Sequence, residues 1–306
     1  MVHHDVIGQG EVLPRADGFP TMPRGQHIVM VDPQFFRIQA SLNPHMVDAA
    51  GGLNQIDHVR AREQWERLKE VYESLGLSVD VFQGDQDCPD MVFCANQALP
   101  FVTQEGRSGV VMGRMASDIR AHEVAVMERQ FQAAKIYTEH LELGADKPTV
   151  FEGTGDALWV PGRRLLCGGY GFRTDRRVYE VISQQVEAPV VGFELPNPRF
   201  YHLDTCLSIL DDQTVLACRD GFTKVGWRQL TELFPRVLEV AVSEADSPGF
   251  ACNAHCPDQK HVILQEGNPE TESLLRMAGF EPVPVATDEF IKSGGSVFCM
   301  KLMLFS

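Results

Sequence analysis

The sequence predicts an α/β protein in which helices cover a sheet core. Three observations carry this. Five stretches repeat apolar residues at helical spacing, short apolar runs lie between them, and the two kinds alternate about five times in repeats of about sixty residues. The first helix is expected over His58 to Gly76, where Val59, Trp65, Leu68, Val71, Tyr72 and Leu75 recur on one face and Gly76 supplies a stop. Others are expected from about Arg120 to Tyr137, Thr174 to Gln185, Thr223 to Phe234 before Pro235, and Pro269 to Gly279, with proline at the start and glycine at the end.

The apolar runs read as buried strands. They are His27–Val31, Leu77–Phe82, Gly109–Met112, Ala157–Val160, Pro189–Phe193, Thr214–Cys218, Val237–Val242, Val262–Gln265, Val283–Ala286 and Val297–Leu304. Residues 1–26, rich in proline and glycine, read as a loose N-terminal arm, and residues 27–306 as a single domain.

Bulk properties narrow the function. Of 306 residues, 44% are hydrophobic, ordinary for a globular chain, and the formal net charge is -15. That charge argues against nucleic acid and anionic membrane surfaces as partners and suits a small cationic substrate. No run approaches the length of a membrane-spanning helix, and the first residues lack a basic segment followed by an apolar one. Eight cysteines spread from Cys88 to Cys299 do not resemble a disulfide scaffold, so a cytoplasmic location is expected. Cys252, His255 and Cys256 lack a second matching pair, and no metal site is expected. A homo-oligomer is compatible with the sequence.

Candidate chemistry gathers at a few positions. Cys299 lies in an apolar run just after Gly294-Gly295. A cysteine there is ordinarily a small buried hydrophobe, but the glycine pair permits close approach of a ligand. His202 and Asp204, two residues apart, would share one face of a strand. Glu152 sits in Glu-Gly-Thr-Gly-Asp, where an open backbone can bring a carboxylate to a site; the plainer reading is a solvated acid in a turn. Asp90 follows Pro89 at the start of an apolar run, and Arg173 follows the glycine-rich Gly168–Gly171, a good position for a carboxylate clamp or an ordinary surface arginine. A thiol, an imidazole and carboxylates are the parts needed for nucleophilic attack on a cationic carbon.

These motifs, in order, resemble the guanidine-modifying enzymes of the pentein superfamily, most closely its dimethylarginine dimethylaminohydrolase and arginine dihydrolase branch. The resemblance rests on Pro89–Phe93, Phe151–Gly153, Gly155–Leu158, Gly169–Arg173, Phe200–Cys206, Phe250–Ala254, and Gly294-Gly295 with Cys299. It implies a five-bladed, pseudo-symmetric α/β propeller with a central active site. It also implies Cys299 as nucleophile, His202 as general acid and base, and Glu152 as the acid that orients the histidine. Asp90 and Asp204 would bracket a guanidinium, Arg173 would grip an α-carboxylate, and Asn96 would match an asparagine used by the dihydrolase branch in a second deamination. The chain departs from the pattern at His45, Cys94 and Phe298.

The expected function is a cysteine-dependent hydrolase of arginine or methylated arginine that needs no cofactor and releases citrulline with ammonia or amine. The alternatives are a dihydrolase giving ornithine, two ammonia and carbon dioxide; an amidinotransferase; and a non-catalytic binding propeller.

Overall fold

The computed structural model describes residues 6–7, 14–141 and 149–305. Among them the strands form five small sheets. In four sheets a first strand pairs antiparallel with a second, which pairs parallel with a third after an intervening helix. Ala98–Val102, Ser108–Met112 and Thr138–Glu139 enclose the helix Asp118–Ala133. Ala157–Trp159, Leu166–Tyr170 and Val190–Glu194 enclose Val178–Gln185. Leu207–Ile209, Thr214–Ala217 and Arg236–Glu239 enclose Lys224–Leu233. The C-terminal strand Leu302–Leu304 pairs with His27–Val31, which is followed by His58–Ser74 and Ser78–Phe82. In the fifth sheet, His261–Gln265 and Glu281–Val285 flank Pro269–Met277, and an isolated antiparallel bridge from His255 to Ile263 stands where the first strand would be.

The helices form where the sequence supplies both a face and a cap. Asp57 accepts from the amides of Val59 and Arg60 at 3.0 and 3.1 Å and starts the first helix. Its buried face is Ala61, Trp65, Leu68, Val71 and Tyr72, and Gly76 at φ +83° ends the turn that follows. Burying a side chain such as Leu68 contributes about 1.5–3 kcal/mol. Thr223 caps the helix Lys224–Leu233 through the Gly226 amide at 3.0 Å.

Each unit is preceded by a short non-strand segment, and these segments meet. Ala95 donates its amide to the Cys299 carbonyl at 3.2 Å, and Thr154 donates to the Ala95 carbonyl at 2.8 Å. The Leu203 amide donates to Asp156 Oδ1 at 3.0 Å. Asn253 Nδ2 donates to the Asp204 carbonyl at 3.0 Å, and the Phe298 amide to the Asn253 carbonyl at 3.1 Å. Buried amides must find acceptors, and here each segment finds them on the next.

Several expectations are corrected. The run Val297–Leu304 is a strand only over Leu302–Leu304, because Asn253 Oδ1 accepts the amides of Ser296, Phe298 and Cys299 and holds them in a turn. His202 and Asp204 do not share a strand; Leu203–Thr205 is a 3₁₀ turn, tied by the Thr205 hydroxyl to the His202 carbonyl at 2.6 Å. Asp90 lies in the 3₁₀ turn Pro89–Val92 rather than at a strand start. Gly168 and Gly169 belong to a strand, and the following helix begins at Val178, not Thr174, whose hydroxyl is bonded to Asp156. The stretch expected as a loose arm is tied down where described: Val6–Ile7 pairs with Val190–Val191, and the Met22 amide donates to the Gly162 carbonyl at 3.0 Å. Residues 1–5 and 8–13 lie outside the described residues.

Gly153 is a point where this packing admits no side chain. It sits at φ +51°, and a Cβ there would lie 2.5–2.8 Å from the carbonyl oxygens of Ala98, Ala95 and Asn96. Gly153→Ala is therefore expected to lower stability by about 1–3 kcal/mol in urea denaturation and to displace the adjacent Glu152. An unchanged midpoint would show that the segment yields freely.

Candidate active site

A small cavity opens beside the meeting point of these segments. Asp90, Asn96, Arg120, Arg173 and Cys299 line it, with Leu42–Asn43, Tyr201 and Ser293–Gly295 among the remaining walls. Gly294, at φ +87°, allows that closeness: a Cβ there would come within 2.8 Å of the Tyr201 hydroxyl and press on Asn43.

Cys299 is buried. Its thiol donates to Asp204 Oδ2 at 3.1 Å and accepts from Asn253 Nδ2 at 3.2 Å. Burial, then the neighbouring Asp204, push the thiol well above its usual pKa. Burial also pushes Asp204 up to about 7, against the lowering effect of the thiol's hydrogen bond. Asp204 thus faces the thiol rather than lining the cavity, and its Oδ1 has no partner among the described residues. Asp90 does line the cavity. It accepts from the Ser293 hydroxyl at 3.2 Å, and burial raises its pKa despite the nearby Arg120.

His202 and Glu152 form a fully buried pair behind this wall, with Nε2 and Oε2 2.7 Å apart. Glu152 also accepts from the Ala116 amide at 3.0 Å and from Arg173 Nη1 at 3.1 Å. Burial pushes Glu152 up, but His202, Arg173 and Arg120 outweigh it and hold the carboxyl at about 2. Glu152 is therefore charged at every ordinary pH. It fixes the imidazole through Nε2 and leaves Nδ1 unengaged by the carboxylate. Arg173 is engaged on three sides: Glu152, the Leu42 carbonyl at 2.6 Å, and the Tyr201 ring, whose centroid lies 4.9 Å from the guanidinium carbon.

The structure thus brings Asp90, Asn96, Arg173 and Cys299 to one cavity and places Asp204, His202 and Glu152 directly behind it. Sequence reasoning missed Arg120. It is buried, bound to Glu123 at 2.8 Å, and donates to Asn96 Oδ1 at 2.9 Å and to the Asp90 carbonyl at 3.2 Å. Because a guanidinium only donates, this bond fixes the Asn96 amide and leaves its Nδ2 as a donor without a partner among the described residues. Arg120, Glu123, Met127 and Phe131 fall on the buried face of the helix, a spacing the sequence carries but the charges of Arg120 and Glu123 mask. Asn253, which holds the cysteine turn, was also missed.

A thiol, a charged carboxylate–imidazole pair and buried acids beside a small cavity define a site for nucleophilic attack on a cationic carbon. The family profile described as "N,N dimethylarginine dimethylhydrolase, eukaryotic" matches residues 32–306. The chain is 36% identical to the N(G),N(G)-dimethylarginine dimethylaminohydrolase of Mycobacterium tuberculosis, covering 92% of this chain and 86% of that one. It is 31% identical to the bifunctional arginine dihydrolase/ornithine cyclodeaminase ArgZ of Synechocystis, covering 90% of this chain and 37% of that protein. The solved N-terminal domain of cyanobacterial ArgZ bound to product superposes with a TM-score of 0.81 at 30% identity, over 91% of this chain and 97% of that one.

Fold, site and relatives together define a hydrolase of guanidino C–N bonds with the α/β pentein fold. The chain belongs to the dimethylarginine dimethylaminohydrolase family.

The Asp204 carboxyl gives a stability prediction. Because its folded pKa is raised to about 7 from an ordinary 3.8, its contribution is fully present below about 4 and is lost as pH rises through about 7. Asp204→Asn should therefore gain stability relative to the wild type between pH 4 and 7 and level off above that, read as the difference in urea midpoints. A difference that is flat or runs the other way would show that Asp204 is already ionised in the free protein.

Proposed function

We propose that Cys299 attacks the guanidino carbon of arginine or a methylated arginine, and that the product is citrulline with ammonia or an amine. The observation that carries this is the Cys299 thiol hydrogen-bonded to buried Asp204 at the edge of a cavity walled by Asp90.

A guanidinium entering the cavity meets Asp90, a buried carboxyl whose side-chain partner is the neutral Ser293 hydroxyl. Asp90 fixes the guanidinium plane by charge-assisted hydrogen bonds, and Asp204, behind the thiol, adds its negative charge. The bound cation reverses the local field, so the thiol held protonated by burial and Asp204 gives its proton to neutral His202 and becomes a thiolate. Its sulfur forms a bond to the guanidino carbon. His202 donates a proton to the leaving nitrogen, which departs as ammonia or amine, leaving a covalent thiouronium on Cys299. Neutral His202 then takes a proton from water as the oxygen attacks, the C–S bond breaks, and the ureido product leaves. Glu152 keeps the imidazole in place and supports its charged form throughout. Arg173 meets the α-carboxylate, exchanging part of its contact with Glu152 for the substrate.

A second reading has one observation in its favour. Asn96 Nδ2 is a buried donor without a partner among the described residues, held in place by Arg120 and suited to the oxygen of a neutral ureido group. Retained there, the first product would be deaminated again to ornithine, as the name of the dihydrolase relative suggests. Single hydrolysis is the favoured outcome.

The chain of hydrogen bonds from Cys299 through Ala95, Thr154 to Asp156, Leu203 to Asp204, and Asn253 back to Phe298 supports a closed ring of five units in one catalytic domain, 27–306. The eight cysteines are free, which suits a reducing cytoplasm.

Cys299→Ser should abolish turnover, by at least about a thousandfold, while leaving the circular dichroism spectrum and arginine binding intact. Near-normal activity of that variant would remove the thiol from the mechanism. Agmatine, which lacks the α-carboxylate, should bind more weakly than arginine by about 1.5–3 kcal/mol; equal kcat/KM for the two would show that Arg173 does not grip the carboxylate. Ammonia released per arginine consumed should be near one, with citrulline as product. A ratio near two, with ornithine, would establish the double reaction instead.

A further inference from the structure

We infer that the far side of the Cys299 segment carries a second ligand site, for a small organic carboxylate with an apolar body. A cavity lies there that shares no lining residue with the cavity of Asp90. Its walls are largely apolar, with Trp159, Phe298 and Phe305 prominent among them. The chain has 42 acidic residues, yet none lines this cavity. Its charged groups are Lys301 and Arg24, and the buried His255 is held to the Tyr72 hydroxyl through Nδ1 at 3.2 Å.

Lys301 is the group that asks for a ligand. It is only 3% exposed, and its ammonium makes no hydrogen bond or ion pair among the described residues. The face of Phe298, 3.3 Å from ammonium to ring centroid, covers one side of the nitrogen and supplies no acceptor, while Cys94, Asp204 and Cys299 lie near enough to act on its charge without bonding to it. A buried ammonium without an acceptor is strongly unfavourable, and a carboxylate seated in the cavity would supply one. Burial draws the Lys301 pKa down to about 7, so the same carboxylate would keep it charged. The apolar walls would take the body of such a ligand, as concave sites with few polar groups do. The charge logic is opposite to that of the substrate cavity, where acids await a cation. Lys301 stands two residues after Cys299, so the two ligands would approach one segment from opposite sides.

Calorimetric titration of the full chain with phenylacetate tests this directly and does not depend on turnover. Saturable one-to-one binding is expected, and it should persist in the Cys299→Ser variant loaded with arginine. Acetate, which lacks the body, and phenethylamine, which reverses the charge, should each bind at least about tenfold more weakly. Lys301→Met should weaken phenylacetate at least about tenfold. So should Met22→Glu, which adds a carboxylate to the wall without touching Lys301 and decides the matter if Lys301→Met fails to fold. Absence of saturable binding would mean that the cavity holds solvent only and would overturn the proposal. Displacement by arginine, or full affinity in a folded variant, would do the same.

Discussion

The carboxamide of Asn253 is the contact on which the rest of the site depends. Its oxygen accepts the amides of Ser296, Phe298 and Cys299 at 3.0–3.3 Å, and its nitrogen reaches both the Asp204 carbonyl and the Cys299 sulfur. One fully buried side chain therefore shapes the turn that carries the thiol and ties it to the segment that carries the acid. An aspartate could accept the amides but could not donate to the sulfur, so the amide is chemically required. Without these bonds, the buried amides of residues 296–299 would have to find partners in a strand, and the thiol would turn away from Asp204.

Around that anchor the electrostatics are arranged in two layers. The deeper layer is settled: Glu152 is held charged by His202, Arg173 and Arg120, and Arg120 is held by Glu123. The layer toward the cavity is unsettled: Asp90 and Asp204 are buried carboxyls with raised pKa values, and Asp204 Oδ1 has no partner among the described residues. Such groups are poorly stable alone and well stabilised by a planar cation, which is how burial becomes selectivity for a guanidinium.

Much of this was legible in the sequence, and the remainder was not for physical reasons. The five long helices were readable because their apolar spacing and caps are local, as with Asp57 and Thr223. Cys299, His202, Glu152, Asp90, Arg173 and Asn96 were readable as an ordered set of motifs. Their conformations were not, because 3₁₀ turns at Pro89–Val92 and Leu203–Thr205 are dictated by hydrogen bonds from distant segments. The strands Ala98–Val102, Leu166–Tyr170 and Leu207–Ile209 went unread because a proline, a glycine pair and a short length hid them. Arg120 was hidden by its charge: an arginine on a helix reads as surface unless its buried partners are known.

The resting thiol has a consequence for survival under oxidative stress. Peroxide attacks thiolates, not thiols, and Cys299 in the free protein is held protonated by burial and by Asp204. In the proposed mechanism, the cation that triggers attack also occupies the cavity beside the sulfur. On that mechanism Cys299 would resist oxidants when the site is empty and be shielded when it is reactive, and only an electrophile that brings its own positive charge would meet an ionised sulfur.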